Sequence, residues 1–217
     1  TSQQIPCRVG RSIQSVGMPK INPPTIDEHK ELTRSALLEA GAQAFARCGL
    51  AGTSIGALAD TAGIARTTVY EYFPNKDSVL AALIEERLPP IVAQVLQDLP
   101  ETGPVDRLAE ISRRAFEFVG LYPVEATLLF RVSRELPKPE RDEAWSVLDP
   151  IRAEIAHLCR RGIEAGRFPE VDPSSLGTIV ADHLVGGIDE LSAGGVSAGA
   201  VIEARIGFLR RGLTRHG

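Results

Sequence analysis

The chain has 217 residues, 43% of them apolar and 24% charged. That is an ordinary globular composition, long enough to bury one large core or two small ones. Its formal charge is −4, so it lacks the overall basic footprint that usually marks a nucleic-acid binder. No apolar run approaches the roughly 18 residues needed to cross a bilayer, and the first stretch has no continuous apolar signal segment, so no membrane partner is expected. Three cysteines, Cys7, Cys48 and Cys159, show no CxxC spacing, which makes a reducing cytoplasm the default location.

Residues 1–27 mix Gly, Ser, Gln and Pro without a lasting period and run through Asn22-Pro23-Pro24. They are expected to form a flexible tail or leader; Arg8, Arg11 and Lys20 leave open a second role, as a basic arm following DNA. From His29 the pattern turns helical, with Leu32, Ala36, Leu37, Ala40, Ala44, Phe45 and Cys48 on one face. Gly49 stops that helix. Ser54 is placed to cap a short second helix whose inner face is Ile55, Leu58, Ala59 and Ala62. Gly63 breaks it, and a third short helix spans about Arg66 to Tyr72. A fourth begins near Asn75, carries Val79, Leu80, Leu83 and Ile84, and meets Pro89-Pro90, a pair expected to kink or end it.

Beyond Pro100 the spacing predicts longer helices at 104–121, 123–136, 140–167, 173–193 and 198–215, with prolines near their ends. Pro150 predicts a kink or break near Asp149. No segment sustains a period-2 alternation. The expected fold is all-α, with about nine helices: a tail over 1–27, a small domain over 28–88 and a larger helical domain over 89–217.

The most informative stretch is SIGALADTAGIARTTVYEYFPNK, Ser54 to Lys76. Two short helices joined by a tight Gly-containing turn are the helix-turn-helix plan. Ala59 is small enough for a close crossing, Gly63 tolerates positive φ, and Ile64, Val69 and Phe73 are spaced to tie the second helix to the first. The face left exposed carries Arg66, Thr67, Thr68 and Glu71, and such a face can enter a major groove.

The flanks narrow this further. Phe45 to Gly49 gives Phe-x-x-x-Gly, Thr53-Ser54 opens the second helix, Leu58-Ala59 and Ala62-Gly63 frame the turn, and Tyr70, Tyr72, Phe73 and Lys76 close the motif. Over about 45 residues this closely resembles the N-terminal domain of TetR-family transcriptional regulators. A weaker likeness continues at Arg161-Gly162 and Gly166-Arg167-Phe168 through Asp172-Pro173, in the family's C-terminal domain. The chain departs from the family at Ala65, where Ser is usual; the recognition helix then lacks a side-chain cap worth about 0.5–2 kcal/mol, and its first N–H groups are left for phosphate or water. Gly41 and Ala44 are also smaller than the usual residues of the first helix.

The resemblance implies a ligand-responsive repressor: domain 28–88 binds double-stranded operator DNA, and 89–217 binds a small apolar or amphipathic effector and forms a homodimer. Tyr70 and Lys76 become phosphate contacts, joined by Tyr72 and by Ser54, which serves as plain N-cap, phosphate ligand or both. Arg66, Thr67 and Thr68 become base readers, Arg being suited to guanine and the Thr methyls to thymine. Pocket candidates are Phe116, Val119, Phe130, Trp145, Leu148 and His183; each aromatic at helical spacing can equally be plain core. Dimer candidates in the last helix are Val201, Ile202, Ile206, Leu209 and Leu213, which an intramolecular core would also explain.

No catalytic constellation, metal site or cofactor motif stands out. His29, His157, His183 and His216 are scattered, and Gly186-Gly187 and Gly194-Gly195 lack a phosphate-loop context. An enzyme is therefore not expected. The alternatives are a regulator whose second domain is only a dimer or protein-partner platform, and an all-α small-molecule binder or enzyme.

Overall fold

The computed structural model describes residues 25–193, 195 and 197–213. The tail candidates Arg8, Arg11 and Lys20, and His216, lie outside the described residues. Among the described residues the fold is all-α, with no strand and ten α-helices.

Helix α1 (Ile26–Cys48) opens on a reciprocal cap. Thr25 accepts from the Glu28 N–H, while the Glu28 carboxylate accepts from the Thr25 N–H at 2.7 Å. Its second half buries Leu37, Leu38, Ala44 and Phe45, but Leu32, expected on that buried face, is 62% exposed, since no described residue covers it. Helices α2 (Ile55–Ala62) and α3 (Arg66–Tyr72) follow. Gly63 joins them at φ 69°, ψ 29°, a left-handed turn that a β-carbon would strain. Gly41 has its own reason: a β-carbon there would lie 2.9 Å from Val79, so α1 and α4 cross closely at that point.

Helix α4 (Lys76–Leu96) settles half of one expectation: of the kink or end expected at Pro89-Pro90, the end is absent, and the helix runs through both prolines. Both prolines lie on its exposed face, as do Glu85 and Glu86 four residues earlier, so the carbonyls that lose their N–H partners face water. The opposite face, with Leu88, Ile91, Val92 and Val95, stays buried. One helix thus begins in the small N-terminal unit, the head, and ends inside the larger unit, the body.

The body comprises α5 (Pro104–Leu121), α6 (Pro123–Phe130), α7 (Lys138–Trp145), α8 (Asp149–Glu164), α9 (Pro173–Ala193) and α10 (Ala198–Leu213). The break expected near Asp149 is present: a 3₁₀ turn at Ser146–Leu148 separates α7 from α8, and Pro150 sits in the first turn of α8. A second 3₁₀ turn, Val132–Glu135, follows α6. Helix α5 packs against α8, α9 and α10. Gly187 of α9 explains an otherwise costly helix glycine: a β-carbon there would stand 2.4 Å from the Phe116 ring and 3.1 Å from the Arg205 side chain. In the 161–173 stretch the Phe168 ring lies directly on Gly162 in the same way. No described helix is long and apolar enough to cross a membrane.

Candidate DNA interface and its links to the body

Helix α3 is anchored by Val69, with Tyr72 packed beside the core, and is open on its opposite face. Val69 is completely buried, whereas Arg66, Thr67, Tyr70 and Glu71 are exposed; Thr68 is half-buried at the flank. At 100° per residue these four fall on one continuous face. The Arg66 guanidinium donates to the Tyr70 hydroxyl at 3.4 Å and lies 6.0 Å from its ring centroid, one helical turn away. This contact holds the arginine along the helix without a carboxylate. Ala65 makes no side-chain cap, and no acid occupies the first turn of α2 or α3, so the exposed N–H groups at these ends favour an anion.

The remaining candidates divide. Ser54 is exposed and caps α2, accepting from the Ala57 N–H at 3.1 Å. Tyr72, expected as a phosphate contact, is half-buried against the core at the back of α3. The Lys76 ammonium is already engaged: it donates to the carbonyls of Leu50 at 2.7 Å and Thr53 at 3.2 Å. Lys76 therefore clamps the loop between α1 and α2, and only its third hydrogen remains for a phosphate.

Sequence reasoning missed what the other side of that loop touches. The Glu135 carboxylate, from the 3₁₀ turn after α6, accepts from the Ala51 N–H at 2.7 Å. The neighbouring Arg131 donates to the Ala46 carbonyl near the end of α1. Gly49 leaves room for this, since a β-carbon there would come within 2.7 Å of the Glu135 carboxylate. Arg87 adds a second link, from α4 to Glu39 of α1 at 2.8 Å and Glu125 of α6 at 3.4 Å. Bonds from Gln43 and Arg87 hold the Glu39 carboxyl below its ordinary range. Only the 84-residue separation of Ala51 and Glu135 hides this junction from a local motif.

In the body, an apolar crevice is lined by Leu88, Ile91, Phe118, Phe130, Leu148 and Ile188 among others. Phe130 and Leu148 were expected there. Phe116, Val119, Trp145 and His183 do not line it. Phe116 is spent against Gly187; Val119 packs on the core from a partly buried position. Trp145 packs edge-on to Phe130 at 5.6 Å and donates its indole N–H to Ser133 at 2.9 Å. His183 bonds the Arg205 carbonyl at 3.1 Å and stacks on Phe208, so it joins α9 to α10. The crevice holds only about 30 Å³, room for about one water.

The dimer candidates also need correction. Val201, Leu209 and Leu213 are buried within the chain itself, so they have little apolar area left for a partner. Ile202 and Ile206 are half-buried. The apolar groups left exposed on α9 and α10 are Ile179 and Phe208, 63% and 64% accessible. The four-residue offsets that carry a helical stripe cannot distinguish its inner edge from its outer edge; packing on α5 decides it.

A family model described as bacterial regulatory proteins, tetR family, matches residues 37–83, and one described as tetracyclin repressor-like, C-terminal domain, matches residues 101–206. The chain is similar to the HTH-type transcriptional regulator RutR of Escherichia coli K12, at 26% identity over 66% of this chain and 68% of that protein. It is also similar to the HTH-type transcriptional repressor KstR2 of Mycobacterium tuberculosis, at 23% identity over 85% of this chain and 94% of that protein. Among solved structures, the transcriptional regulator FadR of Bacillus subtilis, in complex with stearoyl-CoA, superposes with a TM-score of 0.71 at 17% identity, covering 82% of this chain and 98% of that one.

Proposed function

As a member of the TetR family of bacterial transcriptional regulators, the chain is a DNA-binding regulator, and we propose that it is a homodimeric repressor that leaves its operator when a small molecule binds the body. The observation that carries this reading is the uncovered face of α3, with Arg66, Thr67 and Tyr70 on a helix held from behind by Val69. Arg66 and Thr67 read base edges; Tyr70, Ser54 and the free hydrogen of Lys76 meet phosphates. Two such helices, about 34 Å apart across a dimer, would enter successive major grooves of a near-palindromic site. Ile179 and Phe208 on α9 and α10 are the apolar centre of the proposed dimer contact. The named relatives are regulators, which supports a non-enzymatic, cytoplasmic role.

Release follows from population shift: the effector must bind the state with misplaced heads better than the state that fits DNA. Continuous α4, with the Glu135–Ala51 and Arg131–Ala46 bonds, gives the body a mechanical hold on the head. A second reading, in which the body is a dimer or partner platform only, is favoured by the small volume of the crevice, about 30 Å³. The deciding experiment measures binding of the purified full chain to its own upstream DNA by fluorescence anisotropy. A sequence-preferring complex that weakens steeply with salt is expected; equal affinity for scrambled DNA would sink the proposal.

A further inference from the structure

On the far side of the crevice wall lies a different kind of concavity. It is open, holds about 630 Å³ and is lined by Arg134, Arg141, Asp142, Trp145 and Arg152. Three guanidiniums and one indole converge there, and the single carboxylate, Asp142, is engaged by Lys138.

Two of these arginines are held from behind. Arg134 donates to Asp189 of α9 at 2.8 and 3.0 Å and lies 5.9 Å from the Trp145 ring centroid. Arg152 donates to Asp149 at 2.9 Å and to the Trp145 carbonyl at 3.2 Å. A guanidinium has five N–H donors, so each keeps donors beyond those bonds. Arg141, half-buried on α7, has no carboxylate partner among the described residues. Among the described residues the concavity therefore carries one positive charge beyond its ion pairs, that of Arg141, beside two guanidiniums already held in place.

The two spaces share a wall. Trp145 lines the concavity and packs on Phe130 of the crevice; Ile151 lines the crevice and its neighbour Arg152 the concavity; Leu148 lies on the crevice side of the 3₁₀ turn between Trp145 and α8. We propose that these residues form a bipartite site for an amphipathic anion, with a carboxylate or phosphate head on Arg134, Arg141 and Arg152 and an apolar chain entering the crevice past Trp145 and Leu148. This rests on the reading of the body as an effector domain, and it names the chemical class of the effector. The crevice must widen for the chain to enter, and the 3₁₀ turn at 146–148 is the part of the wall that moves. Trp145 also bonds Ser133, which lies between Arg131 and Glu135, so an occupant displacing the indole acts on the segment that holds the head.

Trp145 is the only tryptophan, so intrinsic fluorescence reports on this wall alone. The full-length protein is titrated with dodecanoate, dodecyl phosphate and neutral dodecanol, and the wild type is compared with Arg141→Ala, a substitution that removes no ion pair. The expected result is that one or both anions perturb Trp145 and bind about tenfold or more tighter than dodecanol. Arg141→Ala should erase most of that preference while leaving dodecanol affinity unchanged. Which anion binds better separates a carboxylate from a phosphate head. Equal binding of alcohol and anions, or a preference that survives Arg141→Ala, overturns the proposal. So does the absence of any binding by a protein that still binds its operator, an outcome that leaves the DNA-binding reading intact.

Discussion

The head and the body hold their functional surfaces in opposite states. In the head, α3 projects its candidate contact residues into solvent and is fixed from behind by Val69, Tyr72 and Phe73 and by the turn at Gly63. In the body, the side chains that would surround an effector touch one another, leaving about 30 Å³, where a ligand-sized site needs roughly 300 Å³ or more. A DNA-reading face is convex and can be complete before its partner arrives. A ligand cavity in a core of Leu, Ile, Val and Phe closes when empty, because a void forfeits dispersion contacts on every wall. The effector must then supply the free energy of separating those side chains, and this makes binding and conformational change inseparable in the body.

The sharpest test of this contrast removes the finished surface. Arg66→Ala deletes an exposed side chain whose one internal partner is Tyr70. It should cost about 1–3 kcal/mol of binding per half-site, so a dimer on two half-sites loses roughly twice that. The melting temperature should not change measurably, since exposed substitutions usually stay within about 0.5 kcal/mol. A large loss of thermal stability would show that α3 is not the independent surface described here.

Lys76→Met separates the observed loop clamp from the proposed phosphate contact. It leaves the Leu50 and Thr53 carbonyls without the ammonium. The expected loss of unfolding free energy is about 1–2 kcal/mol by chemical denaturation. If the third hydrogen also holds a phosphate, the slope of log affinity against log salt falls by about 1. An unchanged slope with reduced stability would leave Lys76 as a clamp only.

How far the sequence could be read follows the same division. Helix periodicity, caps and the Gly63 turn are local, and so α2, α3 and the Ser54 cap were legible. The exposure of Arg66 and Thr67 was legible too, because the 23 residues from Ser54 to Lys76 determine it almost alone. The acidic balance of the chain misled only at the level of bulk charge. Arg34 and Arg87 are paired with Glu86 and Glu39, while Arg66 faces outward without a carboxylate. In the body, a stripe such as Val201, Leu209 and Leu213 signals burial but not against what. The contacts of Phe116 and His183 were not legible for that reason, since Gly187 and Arg205 come from distant positions on α9 and α10. Pro89-Pro90 do not end α4, because both lie on its exposed face and not against the core.

The junction offers a smaller effect with a local readout. Glu135→Ala removes the acceptor of the Ala51 N–H, and water replaces it at that exposed site, so global stability should fall by only about 0.5–1.5 kcal/mol. Amide exchange should speed up at residues 49–54 while α5 and α8 stay protected. Unchanged protection in the loop would mean that the Glu135 bond adds nothing to the hold already given by α4, Arg131 and Arg87.

The smallest effect concerns the α9–α10 contact of the body. Burial, opposed by the bond to the Arg205 carbonyl and assisted by the Arg205 guanidinium, lowers the His183 pKa below its ordinary 6.5. A ring whose folded pKa lies below its unfolded value stabilises the fold fully above that unfolded value, and the contribution is lost as pH falls through 6.5 toward the folded pKa. The protonated ring would also sit beside Arg205, whose guanidinium is held by Glu190 at 2.8 Å and by the His183 carbonyl at 2.9 Å. His183→Gln keeps a donor for the Arg205 carbonyl and removes the titration. Between about pH 7.5 and pH 5 the wild type should therefore lose more thermal stability than His183→Gln. Because His183 stacks on the exposed Phe208, the same acidification should weaken the proposed dimer in the wild type more than in the variant, measured by sedimentation. Equal pH dependence of both proteins would show that His183 is solvated well enough to titrate normally and that the α9–α10 contact rests on packing alone.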